Sequence, residues 1–383
     1  MLRKASRLAA CGSFMIAILA AAGAAAAPDA HAVADALVAA FGASGKAVAS
    51  YGDAVATGDT ITITGFKAVQ PKAKGRDLDV ATIVIAGAAE RQPGGFTASS
   101  MTFTDGSANY REALVKWQTA VVTNPVIPTA DEIRSLSNKY LPFTTTSVSG
   151  ISITDPELTQ PVEVAKVDLA MAADANGQPN SVTFTTTGIH LPASAFSAPE
   201  VRGMMQGLGY TDLVASITFD AGFDTGADKF TLRSFALEVA NVGKLAITGA
   251  FSDVKVHGMI TTGADAKPAP TQPPSLDALT VRFDNAGVIE RALDMQGQIL
   301  GESREEVAAQ WPMLFMFLIG DAGGVSFQQK VQTALTTFLK SPKSFTVTLA
   351  PPAPVPFDEV AKTISDDQTK LPDLLAVEIT VNN

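Results

Sequence analysis

Apolar and polar positions along the chain follow two periods. Residues 29–43 place Val33, Ala36, Leu37, Ala40 and Phe41 at helical spacing, which predicts an amphipathic helix. From Ala47 the period becomes two. Thr60-Ile61-Thr62-Ile63-Thr64 alternates strictly until Gly65, and the runs Leu78–Ala88 and Phe96–Thr104 alternate again. Gln92-Pro93-Gly94-Gly95 between those two runs predicts a hairpin-type turn, so the segment reads as a meander of antiparallel strands. Strand patterns return at Ala215–Phe219, Phe230–Val239 and Gly243–Phe251, separated by turns at Asp224–Asp228 and Asn241–Gly243.

Helices interrupt the strands at three capping boxes. In each, a hydroxyl and a carboxylate three residues apart can satisfy free N–H groups of a first helical turn. Thr129-Ala130-Asp131-Glu132 opens a helix to about Tyr140, Ser197-Ala198-Pro199-Glu200 one to about Leu208, and Ser303-Arg304-Glu305-Glu306 one to 319. After a strand at Ala278–Phe283 the pattern gives helices at 285–300, 303–319 and 326–340. A strand at Ser344–Leu349, a turn with Pro351, Pro352, Pro354 and Pro356, a short helix and a strand at Leu375–Val381 follow. The expected fold class is α+β. It is strand-rich, with a long antiparallel curved sheet or sheets, short amphipathic helices and a helical segment near 285–340. Residues 262–275, TGADAKPAPTQPPS, form a Pro-rich linker or exposed loop between a β-rich part, 28–261, and an α+β part, 276–383. A candidate internal repeat aligns Asp79–Ala86 with Glu163–Ala170. Each segment is followed by a turn and a strand ending in Thr-Phe-Thr, at 102–104 and 183–185.

The N-terminus changes the expected location. Arg3, Lys4 and Arg7 precede an apolar run from Phe14 to Leu19, and small residues lead to Ala26-Ala27-Pro28. That is the three-part pattern of a secretory signal, with cleavage expected near Ala26 or Ala27 and a periplasmic destination. Residues 1–27 are then expected as a detached helix outside the fold. Leu8-Ala9-Ala10-Cys11 resembles a lipoprotein box, but the apolar run follows Cys11 instead of preceding it, so Cys11 is read as discarded with the signal. Cys11 is the one cysteine of the chain, so the processed protein has no thiol for a disulfide, a metal or a nucleophile. The run is too short to remain as a membrane span of about 20 residues.

Charge and composition narrow the function classes. The net charge is −10, and loss of Arg3, Lys4 and Arg7 brings it to −13, with no basic cluster to attract nucleic acid. Hydrophobic residues make up 46% and charged residues only 17%, so much surface is buried or apolar surface is kept for a partner or ligand. Histidines 31, 190 and 257 are far apart and form no ligand pair on one helix face, which leaves no metal site and no cofactor expected. No nucleophile elbow or Ser-x-x-Lys set occurs. Gly42-Ala43-Ser44-Gly45-Lys46 follows a helix and lacks phosphate-loop spacing, so it is read as a helix stop. The acidic turns Asp174–Gly177 and Asp220–Asp228 lack the closing bidentate acid of a calcium loop.

The unusual stretch is Trp311-Pro312-Met313-Leu314-Phe315-Met316-Phe317-Leu318-Ile319, which is apolar all round a helix. Its bland reading is a core helix. Its functional reading makes Trp311, Met313, Phe315, Met316, Phe317 and Ile319 the lining for an apolar ligand, or a peripheral envelope contact. Met204-Met205, on the helix opened by Ser197, forms a smaller pair of the same kind. The segments Leu232–Phe251, Leu279–Leu300 and Phe345–Phe357 resemble an uncharacterised group of exported alphaproteobacterial proteins. Alternating strands with short apolar helices are similar in architecture to periplasmic lipid-handling β-groove folds, an analogy of shape and not of function. The expected function is a periplasmic, non-enzymatic protein that binds or carries a lipid or other apolar molecule. The alternative is an envelope structural or protein-interaction component with a solid core.

Overall fold

The structure is a computed structural model that describes residues 28–43, 45–71, 77–110, 112–135, 143–174, 179–254, 273–319 and 323–383. The side chains of Pro179 and of 315–319 are not part of that description. The expected signal segment with Cys11, His257 and most of the Pro-rich stretch lie outside the described residues. Two compact units meet in sequence at Ser197 and Ala198.

The first unit opens with helix α1 (Ala30–Gly42), as its spacing predicts. The Asp29 carboxylate accepts the Ala32 N–H at 2.9 Å, and Ala30, Val33, Ala34 and Leu37 are the buried face. The helix is followed by β1 (Val48–Ser50), β2 (Asp53–Thr57), β3 (Thr60–Val69) and β4 (Asp77–Ala86). Beyond these come β5 (Ala89–Glu90), β6 (Phe96–Thr97), β7 (Ser100–Tyr110), β8 (Ala113–Thr123) and β9 (Val126–Ile127). Helix α2 (Ala130–Ser135), β10 (Thr145–Thr154), β11 (Val162–Ala173) and β12 (Pro179–Pro192) complete the unit. All pairings are antiparallel, in the order β1-β3-β4-β7-β8-β10-β11-β12, with β2 beside β1 on β3.

One expected strand divides. The run Phe96–Thr104 splits between a short sheet, β5-β6-β9, and the main sheet, where β7 pairs with β4. The turn Gln92–Gly95 does close a hairpin, with the Arg91 N–H on the Gly95 carbonyl at 3.1 Å, but the hairpin belongs to the short sheet. The repeat keeps its side-in parity without keeping its register. Phe103 faces Ile83, whereas Phe184 faces Leu169 and not Val167, the counterpart of Ile83.

The second unit begins with α3 (Pro199–Gly207), then β13 (Asp212–Asp224), β14 (Lys229–Val239), β15 (Gly243–Ser252) and β16 (Ser275–Asn285). Three helices follow: α4 (Val288–Leu300), α5 (Arg304–Ile319) and α6 (Gly324–Lys340). The unit ends with β17 (Ser344–Leu349), β18 (Val355–Pro356), α7 (Phe357–Asp367), α8 (Leu371–Leu374) and β19 (Val377–Val381). Its strands run antiparallel in the order β13-β14-β15-β16-β17-β19, with β18 also on β16. The Pro-rich stretch therefore connects two strands that pair with each other. The strand-rich α+β class expected from the sequence is the class the chain adopts.

The Thr129 and Ser303 capping boxes close. The Thr129 N–H donates to Glu132 Oε2 at 2.8 Å and the Glu132 N–H to Thr129 Oγ1 at 3.2 Å. The Ser303 N–H donates to Glu306 Oε2 at 2.7 Å and the Glu306 N–H to Ser303 Oγ at 3.3 Å. At the third, the residue that precedes α3 is Ala198 and not Ser197. Proline restricts the residue before it to extended backbone, and Ala198 sits at φ −71°, ψ 115°. Ala198 therefore cannot be the first helical residue. Pro199 takes that position, and the start moves one residue past the Ser197 box.

Candidate functional site

Among the described residues, the two histidines and the acidic turn lie apart from one another. His31 and Asp35 on α1 meet the Tyr51 hydroxyl, which lies 3.2 Å from His31 Nδ1 and donates to Asp35 Oδ1 at 2.9 Å, all on the surface. His190 on β12 stands opposite Glu163 on β11. In the acidic turn, Asp224 Oδ1 accepts the N–H groups of Gly226 and Ala227, both at 3.0 Å. Asp220 is held by the Arg233 guanidinium. Those carboxylates organise a hairpin. No cluster of histidine or acid with metal-ligand geometry exists among the described residues.

The apolar helix is placed as follows. Trp311 is half-buried and Pro312 buried, while Met313 is 75% exposed and Leu314 58% exposed. The side chains of Phe315, Met316, Phe317 and Ile319 fall outside the description. Met205 on α3 is buried and Met204 is 52% exposed, so that pair splits between core and surface.

The sheet of the second unit carries the site that residue-by-residue reading missed. Antiparallel register fixes which side chains share a face, and four rows form across its strands. The first is Ile217, Leu237, Leu245, Phe283, Phe345 and Val381. Next to it lie Phe219, Phe235, Ile247, Val281, Val347 and Ile379. The third row is Ala221, Leu232, Gly249, Leu279, Leu349 and Val377, and the fourth is Phe223, Phe230, Phe251, Leu276 and Val355. Two irregularities keep the rows aligned. Arg233–Ser234 oppose one residue of β13, and Asp277 is passed over between Ala278 and Leu276, so each bulge restores the side-in parity. The other face is polar or small, with Thr218, Ala236, Ala246, Arg282, Thr346 and Thr380 in one row and Thr248, Thr280, Thr348 and Glu378 in the next.

The apolar face is not fully covered. Apart from Ala221, Gly249, Leu276 and Val355, every side chain of the four rows keeps part of its surface open. The first unit shows what a covered face looks like: Ile61, Ile63, Val80, Ile83, Ile85 and Met101 are at most 1% exposed, and Phe41 of α1 packs edge-on against Phe66 of the same sheet. Within that unit the cover ends too, because Val148, Val167, Leu169, Met171 and Phe184 of β10–β12 are half-buried.

In the second unit six strands about 4.8 Å apart and rows spanning about 20 Å give an apolar floor with a footprint on the order of 500 Å². Contiguous apolar surface on a monomeric protein marks an interaction site where it stays exposed.

Helices close the two ends of the floor. Helix α6 packs along β19, and its Phe338 lies edge-on to Phe283 and Phe345. Helix α7 begins with Phe357, whose ring lies 6.2 Å from that of Phe251. No described helix is long and apolar enough to cross a membrane.

Residues 236–382 match a family described as "Uncharacterized protein". That match covers nearly all of the segments that carry the sequence resemblance, and four of the six strands in the floor. No curated protein matches the chain. Neither comparison brings an enzyme family to it.

Proposed function

We propose that this is a non-enzymatic binding or carrier protein for a lipid or other apolar molecule, which lies on the open floor of β13–β17 and β19. One observation carries the reading. A face of about two dozen apolar positions in register leaves all but four of them partly exposed, in a chain that buries the equivalent face of β3, β4 and β7 almost completely. A protein that needed only a solid core has no use for the difference, because each partly exposed side chain forgoes burial worth about 25 cal/mol per Å². The acidic net charge disfavours nucleic acid as the occupant. The N-terminal pattern adds an exported, periplasmic location to the proposal, which cell fractionation with N-terminal sequencing checks.

Protein purified without detergent should carry an apolar molecule in near-stoichiometric amount, detected by mass spectrometry of the denatured and native forms. Val281→Glu, in the middle of the floor, should lose that molecule while keeping the circular-dichroism spectrum of the parent. Absence of any co-purifying or added apolar ligand would overturn the reading. So would retention of the ligand by the Val281 variant.

A further inference from the structure

The floor of the second unit has an aromatic stop at each end. At one end Phe338 of α6 packs edge-on against Phe283 and Phe345, with ring centroids 6.5 and 5.7 Å away. At the other end Phe223, Phe230 and Phe251 form a string across three strands, with centroids 5.2 and 5.8 Å apart. Phe357, the first residue of α7, extends that string at 6.2 Å from Phe251. From Leu245 to Phe251 strand β15 advances about 20 Å, at about 3.3 Å per residue. The rings occupy part of that span and leave roughly 15 Å, which is the hydrocarbon thickness of one bilayer leaflet.

The chemistry between the stops is uniform. The rows there present no hydrogen-bonding side chain, and ladder bonds to both neighbours engage the backbone of β14, β15 and β16. A polar group turned toward the floor finds no partner there. A sugar or an extended peptide turns some of its polar groups to any surface it lies on, whereas a straight hydrocarbon chain has none to turn.

We infer that the floor is a length gauge for straight hydrocarbon chains lying along the strands, with Phe338 and Phe357 as its end stops. The inference rests on the binding reading above and gives it a substrate class and a specificity determinant. The two stops differ in stiffness. Phe338 is 5% exposed and belongs to the core, whereas Phe357 is 42% exposed, and its N–H is tied to the Pro274 carbonyl at 3.0 Å. Phe357 can be changed without opening the core.

The test uses the full chain and straight-chain fatty acids of about 10 to about 20 carbons, titrated by calorimetry. Affinity should rise about fourfold per added methylene until the chain fills the gauge, then level off. Phe357→Ala should move the break to longer chains by about two methylenes or more, and Phe357→Trp should move it to shorter ones. A break at the same length in all three proteins, or no break in the parent, would overturn the gauge while leaving the binding reading intact. Failure of every chain length to bind the parent would overturn the binding reading itself. A dimer by sedimentation that seals the floor, or displacement of the acids by an amphipathic helical peptide alone, would assign the floor to a protein partner and overturn both.

Discussion

The Trp117 indole occupies the space above Gly106, its register partner on the neighbouring strand. A Cβ built on Gly106 would sit 2.0 Å from Trp117 Cζ2 and 2.1 Å from Cε2. The ring is 6% exposed and lies on the same side as Phe66 and Val80, so it has nowhere to retreat. Glycine is required here by the ring, not by the backbone angle.

Gly106→Ala should therefore lower stability by roughly 1–3 kcal/mol, through a displaced indole and not through a lost contact. Urea unfolding measures the loss. Tryptophan emission in a Trp311→Phe background should shift to longer wavelength, because Trp117 is then the sole reporter. An unchanged spectrum would show that the strand moves and the ring does not.

Covered and uncovered faces should answer the same substitution differently. Ile83→Gln places an amide where the parent is fully buried and should cost about 3 kcal/mol or more. Val281→Gln places it among partly exposed side chains and should cost under about 1 kcal/mol. Thermal unfolding of the two variants side by side gives the contrast. Equal losses would mean that the second floor is sealed in solution.

The start of α5 should be sensitive to acid. Glu306 is held below the usual carboxylate range by the backbone N–H of Ser303 and then by its hydroxyl. Asp294 is held below it by its hydrogen bond to the Arg304 guanidinium, whose Nε lies 2.6 Å from Asp294 Oδ1. Both carboxylates have depressed pKa values in the folded state. Their contributions are therefore present above the ordinary carboxylate pKa and are lost as pH falls through the depressed values. Helix content followed by circular dichroism should decline on acidification in that window, and Glu306→Gln should flatten the decline. A decline beginning near neutrality would point to another group.

Arg291 braces α3 against α4. Its guanidinium carbon lies 4.7 Å from the Tyr210 ring centroid, and Nη1 donates to the Leu208 carbonyl at 3.1 Å and the Gly209 carbonyl at 3.3 Å. The Tyr210 hydroxyl donates to the Asn241 carbonyl at 2.8 Å. Arg291→Ala should cost about 1–2 kcal/mol. Burial raises the Tyr210 pKa, and the Arg291 charge works against that rise. Removing the charge should move the Tyr210 ionisation higher still, by ultraviolet titration referenced to Tyr210→Phe. A downward movement would contradict the stacking geometry.

Much of this fold is written locally. The strict alternation at Thr60–Thr64 places Ile61 and Ile63 on one side of β3 whatever pairs with it, because successive side chains of a strand point to opposite faces. The Thr129 and Ser303 boxes close as their spacing requires, since donor and acceptor are three residues apart on one turn. The start of α3 was legible to within one residue, because the restriction that Pro199 places on Ala198 moves it. The division of Phe96–Thr104 between two sheets was not legible at all. Both halves alternate, and only the pairing of Phe96 with Ile127 separates them.

The functional reading at Met313 and its neighbours rests on a stretch that is apolar all round a helix. The floor escaped notice because its residues are spread over six strands and look ordinary in each one. What the sequence determined by itself is that these strands have an apolar side: Phe219, Phe235, Ile247 and Val281 each fall on the alternating positions of their own segments. Which of them stand in one row was decided by register, including two bulges that no local pattern announces. Whether anything covers the row was decided further away still, by the packing of α1 in one unit and by the placement of α6 and α7 at the ends of the other. Periodicity is a property of neighbouring residues, and cover is a property of distant ones, so only the tertiary structure could leave this face open.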